Sequence, residues 1–407
     1  MSRSARASLT HLGWGLALPV LFLVTVGLLA IHVTDRSPLE AGALEAGGAV
    51  DWTRRVVEAV GPLALKQGLY FLAGVALLLA TLIPSYQRMG RYAYPAYAVL
   101  LVLLVLLVLD QYVDLPLIPV RNEARRWVSL GPLSLQPSEF MKVVLVLTLA
   151  RYLRFRSSYR RWYGRLPPFL LTLVPMALIL KQPDLGTTLM LLPVLFAMLF
   201  VAGAQLRHLA TIVLLGLATL PLFYIFGMKP YQRDRVLAVF RQDTPDARWH
   251  MGPGYQLHQS KIALGSGGVS GEGYGQGVFV QYELLPEEHN DFVFAIIGNQ
   301  WGLIGALLVI LAYGVIVLAG IEVATVTNDP FGRLLAVGIV AMIAVQALLN
   351  ICVTIGLAPI TGMPLPFVSA GGSSLWANFI GLGLLINVAQ RRPLLIANPP
   401  FEHRDGA

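Results

Sequence analysis

Carboxylates, a histidine and a handful of cations stand where an otherwise apolar chain turns polar. Glu287, Glu288, His289 and Asp291 fall within five residues, and Asp291 directly precedes the apolar run 292–297. A carboxylate at the mouth of a membrane segment marks a functional site by default, and it can take a proton from a reacting hydroxyl. Asn290 or Asp291 could also cap the following helix by accepting from its free N–H groups; the two roles are compatible. Upstream, Glu139 and Lys142 are three residues apart, which puts them on one helix face as a candidate ion pair. Lys181 and Asp184 lie in similarly apolar surroundings. An ionised group at a bilayer centre costs about 2.5–3.5 kcal/mol or more, so these four need partners or water. Either they lock helices together, or they line a polar cavity that takes a charged lipid headgroup.

Spacing argues against other chemistries. The group around His289 is not H-E-x-x-H, and a single histidine among acids is a weak metal set. One cysteine, Cys352, allows neither an internal disulfide nor a cysteine-based metal site. The glycines between 265 and 277 show no G-x-G-x-x-G spacing and no following Gly-Lys-Ser/Thr, so they do not make a nucleotide loop. They read as backbone able to turn tightly near a membrane surface. No G-x-S-x-G nucleophile elbow is present.

The elements that must position these residues are membrane helices. Of 407 residues 56% are hydrophobic and 13% charged, with a mean hydropathy of +0.67; a soluble domain carries about 25% charged residues. The net charge of +8 is the kind that collects on the cytoplasmic side of membrane proteins, and no basic stripe with interleaved aromatics points to nucleic acid. A membrane helix needs about 20 mostly apolar residues. Ten segments qualify: 13–32, 63–84, 93–113, 135–153, 167–182, 185–203, 208–227, 292–320, 333–356 and 374–390. The first apolar run is too long for a cleaved signal, whose apolar region is about 7–15 residues, and reads as a retained helix. The expected architecture is an all-α polytopic bundle, a single membrane domain over 1–393 with a short cytoplasmic tail, 394–407. Arginines cluster in 151–165, six of them, which places that segment and both termini in the cytoplasm. The 65-residue interval 227–291 between the seventh and eighth helices then faces outward. Loops beyond about 15 residues are usually functional or disordered; Tyr255, Tyr274, Phe279 and Tyr282 give this one the means to pack. The acidic first loop, 33–62, reads as a solvated outer segment.

Several long motifs bear a resemblance to a known family: RRW with QPSEFMK, QPDLGTT, YQRDRV, GYQLHQSKIALGSGG, LPEEHNDFVFAIIG and PITGMPLPFVSAGGSS. In this order, and over nearly the whole chain after the first helix, they resemble the SEDS family of integral-membrane peptidoglycan glycosyltransferases. QSKIALGSGG is more similar to the RodA (elongation) branch than to FtsW (division). The resemblance implies a ten-helix bundle in the cytoplasmic membrane that polymerises lipid II on its outer face during elongation. It assigns the essential aspartate of a PE-x-H-x-D-F-x-F motif to Asp291, with Glu287 and His289 in the same motif. It places Trp127, Glu139, Lys142 and Asp184 in the substrate cavity. It implies a class B penicillin-binding protein as activating partner, among other elongation-complex membrane proteins. Two positions depart from the family: Asn299 and Gln300 replace a usual Glu pair, and Glu123-Ala124 with a doubled Arg125-Arg126 replaces Gly-Ala before Arg-Trp.

The implied chemistry suits the residue types. A sugar 4-hydroxyl attacks the anomeric carbon of a second lipid II and displaces a lipid diphosphate. Asp291 takes the proton. Lys142, Arg125, Arg126, Arg233 and Arg235 are candidates to meet the leaving-group charge, arginine being suited to bidentate phosphate contact. A single displacement inverts the anomeric centre without a covalent intermediate. A divalent cation, magnesium or manganese, could assist departure, but no dedicated ligand set is visible. A lipid II flippase, an FtsW-like division polymerase and a catalytically silent scaffold are the alternatives.

Overall fold

The computed structural model describes residues 3–35, 60–113, 118–119, 125–131, 133–154, 166–228, 230–242, 251–282, 284–285 and 289–391. Among them a helix forms on each apolar segment, because uniformly apolar stretches such as 93–109 can satisfy their backbone only internally once lipid replaces water. In chain order these are α1 Arg3–Thr34, α2 Pro62–Leu82, the short α3 Tyr86–Arg91, α4 Ala93–Leu109, α5 Pro137–Arg154, α6 Leu166–Lys181, α7 Leu185–Val201 and α8 Leu206–Leu222. The long interval then holds α9 Pro230–Phe240, α10 Tyr255–Ser266 and the single turn α11 Val278–Gln281. The chain closes with α12 Val293–Val326, α13 Pro330–Thr354 and α14 Gly372–Gln390. Five helices, Gly15–Thr34 of α1 with α2, α12, α13 and α14, are long and apolar enough to cross a membrane, and α4, α6, α7 and α8 are shorter apolar helices.

The core is built around α13. It packs against α12, α7, α5 and α14, while α14 lies along α2 and α1 along α12. By contrast α8 buries only Leu209, and past Pro221 it runs into a π-helical stretch, Phe223–Gly227. Carbonyls at that loosened end are taken by Arg233, whose Nη2 donates to Ile225 O at 2.6 Å and Nε to Met228 O at 3.2 Å.

One short sheet lies outside what helical periodicity can foresee. β1 Val128–Leu130 and β2 Leu133–Leu135 form an antiparallel hairpin. Its turn contains Gly131 at φ +68°, a conformation that costs glycine little.

The eighth expected helix also differs: α12 is broken at Gly302 (φ 64°, ψ −161°). A Cβ on Gly305 would lie 3.7 Å from Ile297 O, whereas eight residues of straight helix span about 12 Å. The chain therefore turns sharply at Gly302. A first arm, 293–301, is buried up to Gln300; a second, 303–326, has the length of a membrane span. The break frees backbone groups, and the glycine-rich segment takes them. Leu303 N donates to Gly268 O (2.9 Å) and Ile304 N to Val269 O (3.2 Å), while Glu272 N and Gly273 N donate to Asn299 O (2.9 Å) and Gln300 O (3.2 Å). So close an approach needs glycine: a Cβ on Gly267 would lie 1.9 Å from Gly298 O, and one on Gly302 2.4 Å from Gly271 N.

At the other end of the bundle a second set of irregular carbonyls is capped. Asn387 Nδ2 donates to Thr81 O (2.6 Å) and Pro84 O (2.7 Å), and its Oδ1 accepts from Tyr86 N (3.1 Å). Arg391 reaches Leu82 O and Ile83 O. Asp329 caps α13 through Phe331 N and lies 3.8 Å from Arg154. Burial, with the negative Asp329 nearby, pushes the Tyr86 phenol above its ordinary range.

Candidate functional site

Asp291 stands at the foot of the first arm of α12, half-buried, with its carboxylate near Gly362: a Cβ there would lie 3.5 Å from Asp291 Oδ2. The N-cap position falls on Phe292, which makes no side-chain cap bond. Contacts from two other segments hold this stretch. Asn350 Nδ2 donates to both Asp291 O and Met363 O, each at 2.8 Å. Just upstream, Ser369 Oγ donates to Asn290 O, and Ala370 N to His289 O at 2.9 Å. His289 is half-buried beside the aspartate, whereas Glu287 and Glu288 lie outside the described residues.

One turn along α13 from Asn350, Gln346 continues the same polar line. Its Nε2 donates to Pro364 O (2.8 Å) and its Oε1 accepts from Lys142 Nζ (3.0 Å). Lys142 also lies 2.7 Å from Glu139 Oε2, with side chains 2% and 4% exposed. The expected i, i+3 pair is thus present and fully buried, as an off-axis ion pair rather than an aligned hydrogen bond. The sequence does carry a signal for Gln346 and Asn350: two amides at i, i+4 inside the apolar run of α13, where polar groups face the bundle interior.

Asp184 has a different setting. It caps α7, accepting from Thr187 N at 3.1 Å, while Gln136 Nε2 (3.3 Å) and Ser138 Oγ (3.2 Å) donate to its other oxygen. It joins the starts of α5 and α7 and is 3% exposed. The hairpin is tied in through Ser373, which accepts from Gln136 N and donates to Ser134 O. Trp127, half-buried, leads into β1.

The arginines divide. Arg125 donates to the Asp110 backbone and pairs with its buried carboxylate at 2.9 Å. Arg126 donates to Gln182 O (2.7 Å) and Pro183 O (2.5 Å), clamping the turn between α6 and α7. Arg233 serves the end of α8, as described above. Of the five cations, Arg235 is the one that reaches the loop beside the aspartate, donating to Ile360 O at 3.4 Å, two residues from Gly362. Among the described residues no three His, Cys, Asp or Glu side chains gather as a metal ligand set. A cavity of about 580 Å³ lies elsewhere, lined by Gly320, Ala324, Arg333 and Val340, toward the end of α13 remote from Asn350.

A buried acid–cation pair, a carboxylate held by its backbone, and a broken membrane helix that starts just after that carboxylate define an integral-membrane protein with an internal polar site. The FtsW/RodA/SpoVE family, described as cell cycle protein, matches residues 50–393. A probable peptidoglycan glycosyltransferase FtsW of Geobacter metallireducens is 36% identical over 332 residues, 80% of this chain and 84% of that protein. A solved structure described as "Structural coordination of polymerization and crosslinking by a peptidoglycan synthase complex" superposes with a TM-score of 0.75 at 29% identity, covering 94% of this chain and 98% of that one. The rod shape determining protein RodA of Thermus thermophilus gives 0.64 at 28% identity, over 93% and 97% of the two chains. The chain belongs to the FtsW/RodA/SpoVE family of membrane proteins.

Proposed function

We propose that this protein is a peptidoglycan glycosyltransferase that polymerises lipid II. The observation that carries the reading is the polar line Asp291–Asn350–Gln346–Lys142–Glu139, which joins a backbone-fixed carboxylate to a buried cation through two amides of one helix. Fixed donors and acceptors of this kind favour chemistry because they need not reorganise when charge develops.

In the proposed reaction the Asp291 carboxylate accepts the proton of the sugar 4-hydroxyl as its oxygen attacks the anomeric carbon. The bond from that carbon to the diphosphate breaks, the electron pair leaves with the phosphate oxygen, and the configuration inverts. Arg235 is the cation best placed to meet the departing charge, because it is the arginine that reaches the loop beside Asp291. Among the described residues, the carboxylates and histidines do not gather into a set of three that could hold a divalent cation.

The ten apolar segments support ten membrane crossings, and the arginine distribution supports placing both termini in the cytoplasm and 227–291 outside. That orientation opens the Asp291 end to the outer face. The QSKIALGSGG segment and the RodA likeness favour a role in elongation rather than division. A class B penicillin-binding protein is the proposed partner, in keeping with the likeness to a synthase complex that coordinates polymerization with crosslinking.

The test is polymerisation of lipid II by purified protein, with and without such a partner and divalent cations. Asp291→Asn is expected to lower turnover at least about 100-fold while the protein still folds and binds its partner. Near-normal glycan synthesis by that variant overturns the assignment. Lipid II flipping in liposomes without polymerisation would establish transport instead.

A further inference from the structure

We infer that Asn350 is a positioning residue for the reaction, holding Asp291 at its working place by a two-pronged bond to backbone; the inference rests on the role proposed above for Asp291. The side chain is 1% exposed. Its amide nitrogen donates to main-chain oxygens of two different segments: Asp291 O, at the foot of the broken helix, and Met363 O, in the loop that passes the carboxylate. The aspartate's own carbonyl is thereby fixed relative to Gly362, the residue nearest its carboxylate.

Two further observations support this reading. The helix beneath is itself anchored, because Asn350 O accepts from Thr354 Oγ1 (3.0 Å) and Thr354 O accepts from Ser260 Oγ (3.0 Å). The two donated bonds also meet irregular backbone, outside the regular i→i−4 ladder of any helix. Asn350 is not a catalytic residue: its reach to the reaction runs through the Asp291 backbone.

The full-length protein, with its partner transpeptidase, tests this on lipid II. Asn350→Ala is expected to lower kcat about 100-fold, the scale of an ångström-sized misplacement of a reacting group, with KM within about threefold of the parent. Asn378→Ala is the control. Asn378 is also 1% exposed, yet its amide bonds within its own helix, to Ser374. That variant is expected to lose thermal stability and keep its kcat. The inference is overturned if Asn350→Ala keeps kcat within twofold, or if KM rises while kcat stands. It is also overturned if the activity lost merely follows the folded fraction, as in the control. Asn350→Ser provides a second reading, since a hydroxyl cannot span both carbonyls, and failure of both variants to fold would make the residue a scaffold element and end the idea. If Asp291→Asn polymerises normally, the reading of Asp291 fails first, whatever Asn350 does.

Discussion

The first arm of α12 and the helix α8 are both apolar, yet they are held in opposite ways. Residues 292–300 are buried without exception, and both ends of the arm are pinned by hydrogen bonds to other segments. α8 buries one residue of its 17 and exposes Leu214, Leu215, Leu217 and Leu220. Apolar character alone does not distinguish them; the difference lies in backbone accounting. A continuous helix satisfies itself and needs neighbours only for packing. A broken one must be satisfied from outside, and the groups that do so also fix whatever is attached to it, here Asp291.

This contrast can be broken in graded ways. Asp291→Asn, at the pinned arm, carries the largest effect, the loss of polymerisation already described, and Asn350→Ala follows it in turnover. Lys142→Met comes next as a change in stability. It leaves Glu139 as a buried charge without its cation, a loss of about 3–5 kcal/mol for a broken buried pair, read as thermal unfolding in detergent. Rescue by the double change Glu139→Gln with Lys142→Met would show that the penalty belongs to the stranded charge. Gly302→Ala adds a Cβ at φ +64°, 2.4 Å from Gly271 N. Strain of about 1–3 kcal/mol is expected, with a fall in kcat because the arm bearing Asp291 shifts. Leu214→Ala in α8 should stay within about 0.5 kcal/mol. A loss there as large as that of Gly302→Ala would mean α8 is packed far more tightly than its exposure indicates.

Much of the frame is legible in the chain. Apolar runs locate the helices, and the 139/142 spacing finds the buried pair, because both rest on local periodicity. The break at Gly302 is not legible, since glycine is common inside membrane helices and only the returning glycine segment gives it meaning. That segment reads in sequence as turn-forming backbone, which is correct as far as it goes, but its docking partner lies some 30 residues on. Charge alone makes every one of these cations a candidate for phosphate. Arg125 and Arg126 carry the right charge, yet Asp110 and the carbonyls of 182–183 occupy them, and sequence does not show which carbonyls a fold leaves bare. Gln346 and Asn350 escape a reading that weighs charges first, although their spacing announces them.

The seam between the glycine segment and the broken helix combines four main-chain bonds with two made by the Asn299 and Gln300 side chains. Loop and arm are consequently riveted into one body, with Gly273–Gln276 at its outer rim and Asp291 at its inner tip, about 13 Å along the arm at 1.5 Å per residue. A displacement imposed at the rim is delivered to the aspartate as if by a lever.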